Sequence, residues 1–276
     1  MPSDCPQDRL ISHLAAHRWS GAEAELTRGA TCHPQDLAAR VTLWRDTAVR
    51  VLHDSHAPAR LPAWDWLLAH GAEVPSDECG VLLLSELLRS KPLWSANWLV
   101  SHGLELPHDA RARPVLQGAL ARAGVNALEW VRDQGLPLDP PGSESPSLRQ
   151  AIAVHGLSAM GHVKVLRASG VSCRPWLAAP ANEDATALVV LARAHATACA
   201  NQAEDPDLNR KFVDMWDALV EAGDLPEALG HDGRSALELA CATPFQRWHT
   251  ARTREQRGAQ EWGGDPQDRR DRRLRT

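Results

Sequence analysis

A nine-residue motif recurs three times at a fixed interval, and this repetition constrains the fold more than any other feature of the chain. The copies are WLLAHGAEV, WLVSHGLEL and WVRDQGLPL, and they begin at Trp66, Trp98 and Trp130. Successive copies are 32 residues apart, and a Gly stands five residues after each Trp. A period of this length indicates an array of similar supersecondary units that bury apolar surface against their neighbours.

A second landmark extends the repeat over most of the chain. In four units a Leu precedes the Gly by 19 residues, in the pairs Leu10/Gly29, Leu52/Gly71, Leu84/Gly103 and Leu116/Gly135. Looser pairs follow at Leu148/Gly170 and Leu188/Gly223, and Leu237 begins a last unit. The landmarks predict an array over residues 1–250, with units near 8–34, 48–76, 80–108, 112–140, 144–175, 184–228 and 232–250.

The third unit shows the structure that each unit is expected to adopt. The apolar stretch from Leu84 to Arg89 predicts a helix, and Pro92 breaks it because proline disfavours helical conformation in the preceding residue. A second helix is predicted over 93–102, and Gly103 ends it as the residue that most easily takes positive φ. Each unit therefore reads helix, turn, helix and loop. Stacking such pairs predicts an all-α helical-repeat solenoid.

Several of these stretches resemble the ankyrin repeat. The sequence GRSALELAC at 233–241 is similar to the first half of that repeat, and LLAHGA at 67–72 is similar to its second half. The Pro-Leu-His turn of the family is nearly absent, and only Leu52-His53 keeps the Leu-His pair. The resemblance implies stacked helix-turn-helix units with short inter-repeat loops. It also implies a non-catalytic protein that binds other proteins without a cofactor.

Charge and composition bear on the partner and the location. The formal net charge is −5, while residues 251–276 carry eight Arg against five acidic residues. This polar tail is expected to be disordered, and it is the one segment where contact with nucleic acid is plausible. The remaining acidic body favours a protein partner with basic patches. The strong preference for Arg, with only three Lys, suggests the GC-rich genome of a bacterium or its phage.

No signal peptide or membrane-spanning run is visible, and the six Cys have no CxxC spacing. We therefore expect no membrane partner, free thiols and a cytoplasmic location, or secretion by a route without a readable signal. Within the binding-protein class two roles stay open. One is an inhibitor of the immunity-protein type, and the other is a secreted effector.

The inter-repeat loops and the adjacent first helices are the predicted partner-binding surface. Polar residues at equivalent tips of the units are the candidates: Asp77, Glu78, His108, Asp109, Arg111, Arg113, Glu144 and Arg149. The insertions at 31–47 and 197–213 are predicted to be surface loops. An enzyme or nucleic-acid binder that uses residues 197–213 or the Arg-rich tail is the alternative function.

The aromatic and His residues are predicted to be mainly structural. The three periodic Trp residues have core spacing, whereas Trp64 and Trp94 fall outside the period and are predicted to be exposed. His70 and His102 are expected to stabilise helix C-termini.

Catalytic and metal-binding patterns are weak throughout the sequence. His13 and His17 have the spacing of zinc ligands, but Leu14 stands where the HExxH motif has Glu. His53 and His56 carry a similarly weak signal. No phosphate-binding loop or nucleophile elbow is present. We predict no catalytic residue, no metal and no cofactor.

Overall fold

The chain is all-helical wherever its structure is described. The computed structural model describes residues 5–48, 61–139, 146–177, 179–201 and 206–241. Within these ranges no strand is present, and one isolated bridge joins Leu229 to Ser235. The α-helices there are α1 Pro6–Ala15, α2 Trp19–Thr27, α3 Leu37–Asp46, α4 Pro62–Ala69, α5 Glu78–Ser90, α6 Leu93–Ser101, α7 Arg113–Ala121, α8 Asn126–Asp133, α9 Ser147–His155, α10 Met160–Ala168, α11 Ala187–Asn201, α12 Pro206–Glu221 and α13 Ala236–Cys241. Two 3₁₀ turns lie at Ala110–Ala112 and Gly156–Ala159.

The chain divides into two compact units. The first comprises Met1–Ser143 and Lys164–Val171, and the second comprises Glu144–Val163 and Ser172–Thr276. In the first unit α1, α3, α5 and α7 pack consecutively, and α2, α6 and α8 pack against α1, α5 and α7 respectively. In the second unit α9, α11 and α13 pack consecutively, and α12 packs against α11. Alternate helices thus form a row in each unit.

The helix pair predicted in the third unit is confirmed. Helix α5 covers the predicted stretch, and Lys91 is extended, with φ −115° and ψ 161°, immediately before Pro92. Helix α6 then begins at Leu93 and ends at Ser101. The proline therefore separates the two helices, as its effect on the preceding residue predicts.

The periodic Gly residues end the second helices of the pairs. Gly103 has φ 98°, its N–H donates to the Val100 carbonyl at 3.2 Å, and the Leu104 N–H donates to the Leu99 carbonyl at 3.0 Å. These two hydrogen bonds define a Schellman motif, in which the residue after the C-cap, here Gly103, needs a positive φ. The same motif ends α2, α4, α6, α8, α10 and α12 at Gly29, Gly71, Gly103, Gly135, Gly170 and Gly223. The period in the sequence is therefore a period of helix ends.

Close packing joins α5 to α7. The Ser85 hydroxyl donates to the Pro114 carbonyl at 2.5 Å. A Cβ added at Gly118 would lie 2.2 Å from the Ser85 carbonyl oxygen, a distance that atoms do not tolerate. The absence of a side chain at Gly118 therefore sets how closely these two helices approach each other.

The prediction that Trp64 is exposed is wrong. Its side chain is completely buried, and its ring meets that of Trp98 edge-on with 4.8 Å between the centroids. The Trp64 indole N–H donates to the Trp44 carbonyl at 2.8 Å. Trp64 and Leu67 are three residues apart, so they lie on the same face of α4, and this face is buried. The helical spacing therefore decides the burial of Trp64, although the residue falls outside the 32-residue period. Trp94 is half-buried.

The three periodic Trp residues contribute to the interior to different extents. Trp98 and Trp130 are buried, which confirms the core prediction, while Trp66 is half-buried. His70 stacks on Trp66, and His102 stacks on Trp98 with 3.7 Å between the ring centroids. Each His Nδ1 lies 2.8 Å from the carbonyl of the Trp four residues earlier. Both His residues are the C-caps of their helices, at the position that the sequence indicates, and their stabilising effect there stays a prediction.

Both predicted loop insertions contain helix. The 31–47 segment holds α3, in which Val41, Leu43 and Trp44 are buried. The 197–213 segment includes the end of α11 and the start of α12. The loop predictions fail because both segments carry apolar residues at helical spacing, which distance from the Gly period alone does not reveal. Residues 49–60, with the Leu52 landmark and His53 and His56, lie outside the described residues, as does the 251–276 tail.

Candidate protein-binding surface

Three Asp residues begin helices on one side of the first unit. The side chain of Asp36 accepts a hydrogen bond from the Ala39 N–H at 2.8 Å at the start of α3. Asp77 accepts from the Cys79 N–H at 3.0 Å, and Asp109 accepts from the Arg111 N–H at 2.9 Å. Aspartate is favoured here because its carboxylate satisfies an N–H that has no partner within the helix. The loops before α3, before α5 and before the 3₁₀ turn at Ala110–Ala112 therefore end in the same way.

Two of these caps also form ion pairs. An Arg40 guanidinium nitrogen lies 2.9 Å from the Asp77 carboxylate, and the Arg111 Nε lies 3.0 Å from that of Asp109. Burial acts to raise the pKa of Asp77, but the hydrogen bond from Arg40 outweighs it, so this pKa lies below its ordinary value. The hydrogen bonds from the Arg111 side chain and N–H likewise lower the pKa of Asp109. Both carboxylates are thus ionised and locally neutralised.

A groove of about 550 Å³ lies between the loops that precede α5 and α7. Its lining residues are Ser76, Asp77, Glu78, Val81, Leu82, Glu105, Leu106, Pro107, Arg111 and Pro114. We call this the interloop groove. Its size is within the range of protein cavities that hold small ligands or side chains of a partner.

The interloop groove combines apolar walls with an acidic rim. Val81, Leu82 and Leu106 are half-buried and offer apolar surface that remains accessible. Glu78 and Glu105 are exposed, and neither forms an ion pair within the described ranges. Because Asp77 and Arg111 have partners of opposite charge, these two glutamates give the groove its net negative charge.

Three of the predicted binding residues line this groove, namely Asp77, Glu78 and Arg111. Asp109 holds Arg111 from the same loop. His108 is exposed on that loop, and Arg113 is half-buried as the first residue of α7. The structure thus brings the predicted residues between 77 and 113 to one side of the first unit. Glu144 lies outside the described residues.

Arg149 does not belong to this surface, and the expectation that it is exposed is wrong. It lies in the second unit and is only 7% exposed. Its Nε donates to the Asp184 carbonyl at 2.6 Å, a terminal nitrogen pairs with Glu183 at 2.5 Å, and its guanidinium lies 4.3 Å from the centre of the Trp176 ring. A guanidinium can be buried when its donors are satisfied and it stacks on an aromatic face.

The apolar part of the groove was not predicted from the sequence. Glu105 and Leu106 stand in the extended segment after Gly103, and Val81 and Leu82 stand in the first turns of α5. The sequence did contain a signal for accessible apolar residues in α5, because the first turns of this helix carry more apolar residues than are needed to form one buried face. Only the fold reveals that the two segments face a common cavity.

A second, smaller cleft lies in the first unit. It has a volume of about 210 Å³ and is lined by Cys32, His33, Pro34, Gln35, Arg40, Trp44 and Glu73. Arg40 lines this cleft and pairs with Asp77 of the interloop groove. The two depressions therefore share one ion pair at their boundary.

The 197–213 segment of the alternative function contributes to a His-containing cluster in the second unit. Fully buried His195 has its Nε2 3.0 Å from the Asn209 amide oxygen and 3.4 Å from the Cys199 sulfur. Burial lowers the pKa of His195 and raises the pKa of the Cys199 thiol. A cysteine nucleophile requires the opposite shift of its pKa, so this pair does not resemble an activated thiol.

Across the described part of the chain, no group of three or more His, Cys, Asp or Glu side chains is arranged to hold a metal ion. Within those ranges, no helix has both the length and the apolar character needed to cross a bilayer.

No protein-family model matches this chain, and no curated protein matches it.

Proposed function

We propose that this chain is a non-catalytic protein-interaction module, built as a solenoid of ankyrin-like helix pairs. The observation that carries the proposal is the interloop groove, which combines apolar walls with an acidic rim between two consecutive loops. The consecutive packing of alternate helices and the repeated Schellman ends support the repeat architecture. Solenoids of this kind bind partners over the surface formed by their loops and adjacent helices.

The chemistry of the surface favours a protein partner with basic and apolar groups. Interfaces of proteins place apolar anchors in pockets and surround them with polar residues. Glu78 and Glu105 provide two negative charges beside the apolar surface of Leu82 and Leu106. The acidic excess of the first 250 residues acts in the same direction, since it attracts a basic partner over a longer range.

Charge reversal at the rim tests the proposal, provided that the helix caps are left intact. Replacing Asp77 or Asp109 would remove an N-cap as well as a charge, so a loss of binding there would be ambiguous. The double variant Glu78→Lys/Glu105→Lys changes the rim without removing a cap. Its matched control is Glu23→Lys/Asp65→Lys, which makes the same change of charge on α2 and α4 at two exposed residues without ion pairs in the described part of the chain.

The measurement is affinity capture from a lysate of the cell that carries the gene, with quantitative mass spectrometry. We expect one stoichiometric protein partner, whose capture falls roughly tenfold with the rim variant because two attractions become repulsions. The control variant should capture that protein as the unmodified chain does. Equal capture by both variants would place the interface elsewhere, and the absence of any enriched protein would contradict the proposed function.

A further inference from the structure

The interloop groove has features that select the chemistry of its occupant. Its volume of about 550 Å³ exceeds that of any one side chain, so it has room for a short stretch of a partner. Val81, Leu82 and Leu106 supply apolar walls on two sides. An apolar side chain inserted there would lose its contact with water, which favours binding in proportion to the area buried.

The charges of the groove add a requirement for basic groups. The Arg111 Nε is 3.1 Å and 3.0 Å from the two carboxylate oxygens of Asp109, and this contact neutralises the guanidinium. Arg40 neutralises Asp77 in the same way. Neither Glu78 nor Glu105 forms an ion pair within the described residues, so a Lys or Arg on the occupant meets two available carboxylates at the rim.

The backbone beside the groove favours an extended occupant. Glu105 and Leu106 lie outside any helix, and within the described residues their main-chain groups form no hydrogen bonds with other backbone groups. An extended peptide can pair with main-chain groups of this kind while alternate side chains enter a pocket. Such pairing would align the occupant along the loop that follows Gly103.

We propose that the interloop groove binds an extended peptide segment of the partner, in which one bulky apolar residue is flanked by Lys or Arg. This inference rests on the proposed function and specifies its ligand. The apolar residue lies against Leu82 and Leu106, and the basic residues face Glu78 and Glu105. An acidic peptide is disfavoured because both rim charges repel it.

Selection from a random 12-residue peptide display library on the immobilised full chain tests this proposal. We expect enriched peptides to contain a Leu, Ile, Met, Phe or Trp with Lys or Arg within three positions. Fluorescence anisotropy with synthetic copies of the enriched peptides then compares the unmodified chain with three variants. These are Glu78→Lys/Glu105→Lys, Leu82→Ala and the control Glu23→Lys/Asp65→Lys.

The expected losses of affinity are roughly tenfold for the rim variant and several-fold for Leu82→Ala, whereas the control binds as the unmodified chain does. A higher salt concentration should also reduce the affinity that Glu78 and Glu105 contribute, because ions screen the attraction between exposed charges. Repeating the selection on the rim variant should replace Lys and Arg with Asp and Glu, a change that loss of folding would not produce.

Three results would overturn the peptide proposal: no enriched sequence, enrichment of acidic peptides on the unmodified chain, or peptides whose binding ignores all of the groove variants. Its failure is distinguishable from failure of the proposed function. If a partner protein is captured and its capture depends on Glu78 and Glu105 while no basic peptide is selected, the groove binds a folded surface instead. If no protein is captured either, both proposals fail.

Discussion

His17 shows how one residue can depart from the pattern that ends the other helices. It has φ 55°, the positive value that the periodic Gly residues adopt, and the Arg18 N–H donates to the His13 carbonyl at 2.8 Å. Within the described ranges the buried Nε2 of His17 has no hydrogen-bond partner. A side chain in the left-handed region is strained, so this helix end costs free energy that a Gly would not.

We expect His17→Gly to raise the free energy of unfolding by about 1 kcal/mol, through relief of this strain. Urea denaturation of the full chain measures the change. Ala16→Gly is the matched control, because Ala16 has φ −93° and the substitution there only adds freedom to the unfolded chain. A loss of stability with His17→Gly would show that the His ring contributes more than its backbone costs.

Buried charge is the feature that the sequence predicts least well at this scale. Glu25 occupies the helix position that holds Leu67, Leu99 or Val131 in later units, yet it is only 1% exposed. Burial acts to raise its pKa, but hydrogen bonds from Arg9 and Arg28 hold the pKa below its ordinary value. Glu25 is paired with Arg28, three residues later, and with the more distant Arg9, and the repeat pattern identifies neither partner.

At the scale of helices, the contact between α5 and α7 depends on a missing side chain. Gly118→Ala would place a methyl group against the Ser85 carbonyl, and this backbone atom moves only if the helices separate. We expect a loss of about 1–3 kcal/mol in the free energy of unfolding, which is the usual range for an overpacked core.

Gly124→Ala provides the comparison for Gly118→Ala, because the nearest atom to its new Cβ is the Asn126 side-chain oxygen at 3.5 Å. Thermal unfolding followed by circular dichroism measures both variants. Equal midpoints for the two variants would contradict the claim that Gly118 sets the approach of α5 and α7.

Helix ends were more predictable than helix beginnings. The Gly at each Schellman motif is a local requirement of backbone geometry, so its period is visible in the sequence. Helix α3 contains no Gly of this kind. The signals in the sequence that indicate this helix are Asp36 at its N-cap and the apolar residues that follow at helical spacing. Part of the interloop groove was predictable, because its polar rim lies at loop tips that the repeat indicates. Its apolar walls were not, because they come together only through tertiary packing.

At the scale of the whole molecule, the described residues are helical, and the proposed binding surface lies on the first unit. The predicted polar residues from Asp77 to Arg111 converge there, while Arg149 serves the interior of the second unit. The proposed solenoid explains this convergence, because consecutive repeats place equivalent loops side by side. A partner should therefore contact at least two consecutive loops.

Hydrogen–deuterium exchange of the full chain, alone and saturated with the captured partner, tests this claim most directly. We predict that the partner slows exchange in residues 73–82 and 104–113, which form the loops and first turns around the interloop groove. Exchange in the second helices α2, α6 and α8 should stay unchanged. Slower exchange confined to those helices or to the second unit, with no change around the groove, would contradict the account.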